Sequence, residues 1–277
     1  MNLFPKQNVS KATAFKIAGW LTWIGGFYLA LHFDSVLILI VPTFIGYLLL
    51  RTGKKYSIQR GDLILTNDAR PPVLYLRSFK DEVNDRSMAT YFKSISFSNK
   101  KDLALTVPSS GFREQDALGY IFRKIGPYIA LGKPGEDLPE LGASKLYVSN
   151  EEWQNTIRDF FKKSKLIIFR AGKTEGLKWE LIELLETVNP LKVIMILPVK
   201  DEDYASFIQW ANLIMPTAFP VNYPVTRSVV FNEKWEPSWL PQGQTLTKSL
   251  KPFFDQNGLV IKESFWGKIL ESNGIRW

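Results

Sequence analysis

The sequence predicts an α/β protein in which a parallel sheet follows an N-terminal pair of apolar helices. Short apolar runs alternate with helical patterns from Val73 onward, a succession typical of parallel strands joined by helical crossovers. A single charge, Asp34, lies between Lys16 and Arg51, so this stretch is apolar enough for a helical hairpin. The segment 165–184 passes from an apolar strand through a glycine-flanked loop into a helix, a corner at which α/β proteins bind ligands.

Composition restricts the available chemistry. The 277-residue chain has no cysteine, and its one histidine is His32, inside the apolar stretch. Disulfides, thiolate catalysis and zinc–thiolate sites are therefore excluded, and the rest of the chain has no imidazole. Carboxylates, lysines, arginines and hydroxyls remain, and we expect neither a metal site nor a resident cofactor.

The net charge is +8, of which residues 1–55, with six Lys or Arg and one Asp, contribute +5 and the remainder +3. This balance argues against a nucleic-acid partner.

Two apolar runs, Ile17–Phe33 and Val36–Leu50, predict a transmembrane hairpin with its turn at His32–Ser35. Each run is shorter than the ~20 residues needed to cross a bilayer core, but local thinning of the bilayer accommodates short spans. A cleaved signal peptide would have one shorter apolar run, and a buried core hairpin would have polar positions at helical spacing. The hairpin is therefore the preferred interpretation.

The charges that flank the hairpin predict its orientation. Six basic residues precede or follow it, whereas only Asp34 lies in the turn. The positive-inside rule then places both termini in the cytoplasm. We expect a multi-pass protein of the inner (plasma) membrane, with the lipid bilayer as a partner. The predicted units are a membrane anchor over 1–55, a linker over 56–71 and a cytoplasmic α/β domain over 72–277.

Five strands are expected in the cytoplasmic domain. Their spacing predicts a flavodoxin-like five-stranded parallel sheet. A capping box at 149–152 predicts the start of one crossover helix, and residues 83–110 are interpreted as an insertion. The expected strands are Val73–Leu76, Pro127–Gly132, Lys165–Phe169, Val193–Leu197 and Ser228–Phe231.

Three polar loops, 77–81, 133–137 and 170–176, follow expected strands and should converge on the carboxyl edge of the sheet. Guanidinium groups there suit a diphosphate, and backbone N–H groups at a helix start also bind phosphate. Ordinary salt bridges, turns and packing are the competing interpretations of the same residues. The candidate ligand-binding residues are Arg77, Ser78, Asp81, Lys133, Gly135, Arg170, Gly172, Thr174 and Trp179.

One carboxylate in the helix Leu177–Val188 is a candidate for catalysis. Leucines define the buried stripe of this helix, and at ~100° per residue Glu180 falls on the flank of the stripe. By the same phase, Glu183 and Glu186 are expected to face solvent. The competing interpretation is that Glu180 only complements the helix dipole.

The segments VLYLRSFKDE, IGPYIALGKPGEDLPELGA and GKTEGLKWEL resemble TIR domains and the related nucleoside deoxyribosyltransferase-like enzymes, in particular bacterial membrane-anchored TIR-like proteins. The resemblance covers roughly residues 72–231. It implies cleavage of the N-glycosidic bond of NAD or of nucleosides, or assembly without catalysis, together with self-association through the TIR-like domain and a role in phage defence.

The same resemblance offers two catalytic carboxylates. In many TIR enzymes the glutamate lies four residues after a tryptophan, which matches Glu183 after Trp179, whereas the deoxyribosyltransferase-like pattern matches Glu180. Helix phase favours Glu180, and Glu183 is kept as the rival. The insertion at 83–110 has no counterpart in small TIR domains.

N-glycosidic cleavage passes through an oxocarbenium-like state that a carboxylate stabilises without histidine or metal. This suits a domain that lacks histidine and cysteine. The resemblance therefore implies a NAD glycohydrolase or nucleosidase as the enzyme class, with NAD or a nucleotide as substrate. A non-catalytic assembly module and a nucleotide-sensing domain are the alternatives.

Overall fold

The computed structural model describes residues 8–78, 114–132, 142–198, 200–222, 224, 226–241 and 245–261. The helices are α1 (Val9–His32), α2 (Ile40–Tyr56), α3 (Gly61–Asn67), α4 (Glu114–Phe122), α5 (Trp153–Lys163), α6 (Glu175–Thr187), α7 (Asp201–Ala211), α8 (Leu246–Ser249) and α9 (Lys251–Gln256). The strands are β1 (Val73–Leu76), β2 (Tyr128–Leu131), β3 (Ser144–Leu146), β4 (Leu166–Arg170), β5 (Val193–Ile196), β6 (Ser228–Phe231) and β7 (Pro237–Trp239).

Within the described residues, the seven strands form one mostly parallel sheet in the order β3-β2-β1-β4-β5-β6-β7. Strands β3, β2, β1, β4 and β5 are parallel, and Leu76 of β1 lies opposite Phe169 of β4. Strand β6 runs antiparallel to β5, and β7 runs antiparallel to β6. The protein is thus a mixed α/β structure, as its sequence pattern predicts.

A flavodoxin-like five-stranded parallel sheet is not confirmed. The five expected strands are present and lie side by side in the order β2-β1-β4-β5-β6. However, the fifth of them is antiparallel, and the short strands β3 and β7 extend the sheet at its two edges. A strand's direction depends on the path of the connection before it, and the local apolar run at Ser228–Phe231 carries no information on that path.

Two hydrophobic layers cover the sheet. On one face, Leu76, Phe169 and Met195 pack with apolar side chains of α5, α6 and α7. On the other face, alternate strand residues such as Tyr75 and Ile168 pack with α4, α8 and α9. The alternation follows from the two-residue period of a strand, and burial on both faces explains why the central strands are continuous apolar runs.

Helix α1 is 24 residues long, and among the described helices it alone has the length and apolar composition needed to cross a membrane. Helices α1 and α2 pack as an antiparallel pair through small residues. A Cβ atom on Gly19 would lie 3.0 Å from the carbonyl oxygen of Gly46, and one on Gly53 would lie 2.9 Å from the carbonyl oxygen of Ala12. The helix backbones therefore approach closely along this contact.

The segment predicted as a linker includes a short helix. Helix α3 follows α2 after four residues and contacts β3 at the edge of the sheet. A side chain at Gly61 would collide with backbone there, because a Cβ atom would lie 2.9 Å from the carbonyl oxygen of Lys145. Leu65 of α3 packs against the core beneath it. The chain is thus fixed to the sheet before β1 begins.

Candidate functional site

The carboxyl ends of β1 and β4 form the candidate site. These strands are adjacent and parallel, but the chain leaves them in opposite directions, towards β2 from β1 and towards β5 from β4. Such a reversal is the topological switch point of an open α/β sheet, where the diverging loops leave a crevice outside the strand ends. The arrangement places the described residues that directly follow both strands at one edge of the sheet, as the sequence predicts.

Arg77 and Arg170 lie side by side at this edge. Arg77 directly follows β1 and Arg170 ends β4, one residue beyond the paired Leu76 and Phe169. The Arg77 guanidinium carbon lies 5.8 Å from the centre of the Tyr75 ring. The two-residue strand period puts Arg170, like Ile168, on the face that packs with α4, α8 and α9. Both guanidinium groups therefore lie on that side of the edge.

Sequence reasoning missed a third arginine, Arg227. It precedes β6, and because β6 is antiparallel to β5 this residue lies at the carboxyl edge of the parallel strands. Its side chain is buried, with Nε and Nη2 donating to the carbonyl oxygen of Leu197 at 3.0 and 2.8 Å. Arg227 could be assigned to this edge only if β6 was known to be antiparallel, because a parallel fifth strand would have put Arg227 at the opposite edge of the sheet.

The loop after β4 leads directly into α6. Thr174 is the residue that precedes the helix, in an extended conformation (φ −83°, ψ 148°), and its side chain accepts no capping hydrogen bond. Gly172 is half-buried, and Lys173 pairs with Asp203 of α7 at 3.4 Å between Nζ and Oδ1. The first N–H groups of α6 therefore face the carboxyl edge without a side-chain cap from Thr174.

Glu180, on the helix that follows β4, has an unusual environment for a carboxyl group. Its Oε2 atom is shielded from solvent and accepts no hydrogen bond, and no ion pair to Glu180 forms in the described part of the chain. Burial raises the pKa of Glu180 to about 8, because removal from water disfavours the charged form. Glu180 lies in the second turn of α6, so a first-turn partner of the helix dipole is Glu175 instead.

Glu183 has a different environment from the one predicted. It does not face open solvent: its carboxylate accepts from Arg158 Nε at 2.9 Å and from Arg158 Nη2 at 3.0 Å, and only 14% of its side chain is exposed. Arg158 lies on α5, so this pair joins two neighbouring helices. The expectation that Glu183 faces solvent is therefore wrong, since helix phase alone does not include the neighbouring helix, whereas Glu186 is exposed as expected.

Trp179 packs in the same contact between α5 and α6. Its ring meets Trp153 edge-on, with the ring centres 4.7 Å apart, and the Arg158 guanidinium carbon lies 5.2 Å from its ring centre. These contacts account for Trp179 as a packing residue.

The predicted capping box at 149–152 is wrong. Helix α5 begins only at Trp153, and Ser149 Oγ donates to Glu152 Oε2 in a turn that precedes the helix.

Helix geometry places Glu180 between these contacts and the sheet. Glu183 marks the flank of α6 that faces α5, and Leu177 and Leu184 mark its buried stripe. At 100° per residue, Glu180 lies about 60° from Glu183 and about 40° from Leu184, so it falls between the two. Its side chain therefore leaves the helix between the contact with α5 and the buried stripe.

The structure brings some predicted site residues together and separates others. Arg77 and Arg170 are neighbours, and Ser78, Gly172 and Thr174 lie at the same edge, with Ser78 buried. Glu180 lies in the second turn of α6, the helix that starts at this edge, and α6 covers the opposite face of the sheet from the two arginines. The candidates Asp81, Lys133 and Gly135, and the insertion at 83–110, lie outside the described residues.

Comparison of the chain with protein-family models, with curated proteins and with solved structures gives no match.

Proposed function

We propose that the protein is a membrane-anchored TIR-like hydrolase that cleaves the N-glycosidic bond of NAD or a related nucleotide, in the manner of a phage-defence effector. The observation that carries the proposal is Glu180, a carboxyl group with a shielded oxygen and a raised pKa in the helix that follows β4 at the switch point. Active sites are where such pKa shifts concentrate, because a catalytic carboxyl needs an environment different from water.

The proposed ligand lies across the strand ends. Its phosphates meet Arg77 and Arg170 on one side of the edge, and its ribosyl group meets Glu180 on the other. A guanidinium group binds phosphate with two parallel hydrogen bonds, and the helix start after Thr174 supplies N–H donors. The neighbouring positions of the two arginines at the strand ends, and the start of α6 after β4 at the same edge, support this arrangement.

Cleavage then follows from the charge of Glu180. At neutral pH the carboxyl is protonated, and a bound cationic nicotinamide lowers its pKa so that the proton leaves to solvent. When the C1′–N bond breaks, its electron pair leaves with the base, and the carboxylate stabilises the oxocarbenium-like centre. Water adds to C1′ and returns a proton to Glu180. The products are the free base and the ribosyl nucleotide.

The helix pair is the proposed membrane anchor, with two passes and both termini in the cytoplasm. Two features support it. The contact between α1 and α2 is made by small residues, while large apolar side chains face outward. This is the reverse of a soluble core and typical of helices packed in lipid. The basic residues lie at the end of the helix pair that is opposite the turn, and they favour the cytoplasmic location of both termini.

The experiment is an assay of the purified full-length chain in detergent with NAD, NADP and common nucleosides, with release of free base measured by chromatography. Release of nicotinamide or a nucleobase would support the proposal. Tight binding of a nucleotide without release would favour a sensing module, and neither binding nor release, in monomeric and self-associated protein, would favour the assembly module.

A further inference from the structure

One end of the helix pair carries a group of basic side chains, here called the basic collar. The antiparallel packing that sets Gly53 against Ala12 brings the start of α1 and the end of α2 to the same level. All members of the collar therefore lie within about two helical turns of one another along the pair. The basic collar consists of Lys11, Lys16, Arg51, Lys54 and Lys55.

The collar has little negative charge near it. Asp34 is the only acidic residue between positions 8 and 61, and it lies in the turn at the opposite end of the pair. Lys16 Nζ donates to a neutral acceptor, Ser57 Oγ, at 3.3 Å. Lys11 and Lys54 are exposed and form no ion pair within the described residues. Their positive charge is thus available to an anion.

Apolar surface begins where the collar ends. Phe15 and Tyr56 stack at the level of the collar, with ring centres 5.6 Å apart and planes 6° from parallel. One turn further along α1, the outward residues are large and apolar, and they are Ile17, Trp20, Leu21 and Ile24. An aromatic pair between a charged and an apolar surface is the pattern of a membrane interface.

We infer that the basic collar binds the headgroups of anionic phospholipids. The inference deepens the proposed membrane anchor and rests on its insertion. The acyl chains of such a lipid lie against the outward apolar residues, while its phosphate and acidic headgroup lie against the lysine ammonium groups. Each basic residue at a membrane surface favours anionic lipid by about fivefold, so the collar favours it strongly.

The test uses the full-length chain reconstituted in nanodiscs that contain phosphatidylcholine and phosphatidylglycerol. Native mass spectrometry counts the lipids that stay bound when the protein is released. The wild type is expected to retain phosphatidylglycerol in preference to phosphatidylcholine. The double variant Lys11→Gln/Lys54→Gln should lower that preference by about tenfold or more. The matched control, Lys162→Gln/Lys234→Gln, removes two exposed lysines from the α/β domain and should leave it unchanged.

Four results would overturn the inference. Equal retention of both lipids by the wild type would remove the collar's preference, and an unchanged preference in the Lys11→Gln/Lys54→Gln variant would remove the collar as its source. Complete loss of the preference in millimolar inorganic phosphate at constant ionic strength would assign the collar to free anions instead of lipid. A wild-type chain that does not stay in the nanodiscs would refute membrane insertion itself, which distinguishes failure of the anchor from failure of the lipid site.

Discussion

Arg158 of α5 holds Glu183 of α6 through two hydrogen bonds, 2.9 Å from Nε to Oε1 and 3.0 Å from Nη2 to Oε2. Three residues earlier on the same helix, the Oε2 atom of Glu180 is shielded and accepts no hydrogen bond. Two carboxyl groups on one helix are thus in different environments: Glu183 is paired across a contact between helices, and Glu180 has an oxygen with no hydrogen-bond partner. This difference separates the two catalytic candidates.

The first prediction concerns that ion pair. Glu183→Gln and Arg158→Gln should each lower the thermal midpoint of the full-length chain, and the double variant should lower it little further, because both substitutions remove one shared interaction. Base release should persist in all three variants. Loss of release in folded Glu183→Gln, with release retained in Arg158→Gln, would instead transfer the catalytic role to Glu183.

The second prediction is the pH dependence of stability. The pKa of Glu180 is about 8 in the folded chain against 4.5 as its ordinary value, so the unfolded chain loses this proton first as pH rises. Between pH 4.5 and 8 the unfolded state binds fewer protons, and Glu180 lowers the free energy of unfolding by up to about 1.4 kcal/mol per pH unit. Outside that window its contribution is constant.

Glu180→Gln removes this titration. The variant should gain stability relative to the wild type as pH rises from 4.5 to 8, measured by chemical denaturation at several pH values. Glu186→Gln, which changes an exposed glutamate of the same helix, is the control and should follow the wild type. Parallel curves for the wild type and Glu180→Gln would show that the Glu180 carboxyl titrates normally.

The third prediction tests the close contact of α1 and α2. A Cβ atom at Gly19 would lie 2.7 Å from Leu50 Cγ, so Gly19→Ala should destabilise the helix pair by about 1–3 kcal/mol through overpacking. Nothing lies within 4 Å of a Cβ atom at Gly25, so Gly25→Ala should be neutral or stabilising by up to about 1 kcal/mol. Unfolding by SDS in mixed micelles, followed by circular dichroism, measures both. Equal effects of the two substitutions would contradict this packing.

The fourth prediction is the topology of the proposed anchor. The chain has no cysteine, so single cysteines can be placed without background. In intact cells, a membrane-impermeant maleimide should label Asp34→Cys, in the turn, and should label Ser57→Cys only after the cells are opened. Protection of Asp34→Cys in intact cells would refute the hairpin, and labelling of Ser57→Cys there would reverse the orientation.

Much of the fold is predictable from short-range pattern. The strands β1, β4 and β5 are uninterrupted apolar runs because both faces of the sheet are covered, and this makes them visible in the sequence. The direction of β6 and the presence of β3 and β7 were not predictable, since strands of three or four residues at a sheet edge have weak patterns.

The site was predictable only in part, for a similar reason. Helix phase identified the flank on which Glu180 lies, because the buried stripe of α6 is a local property of the sequence. The partner of Glu183 comes from another helix, and the position of Arg227 depends on the direction of β6, so both required the tertiary structure. The strand period, rather than proximity in sequence, sets the two neighbouring arginines on the face opposite α6.

The central claim is that Glu180 is the catalytic carboxyl group, and the most direct test is release of nicotinamide from NAD, or of base from the substrate found in the assay, by three matched proteins. We predict that Glu180→Gln lowers release by about a hundredfold or more, since the amide cannot supply the negative charge that the transition state requires. Glu186→Gln should retain wild-type activity. Wild-type release by a folded Glu180→Gln variant would contradict the claim.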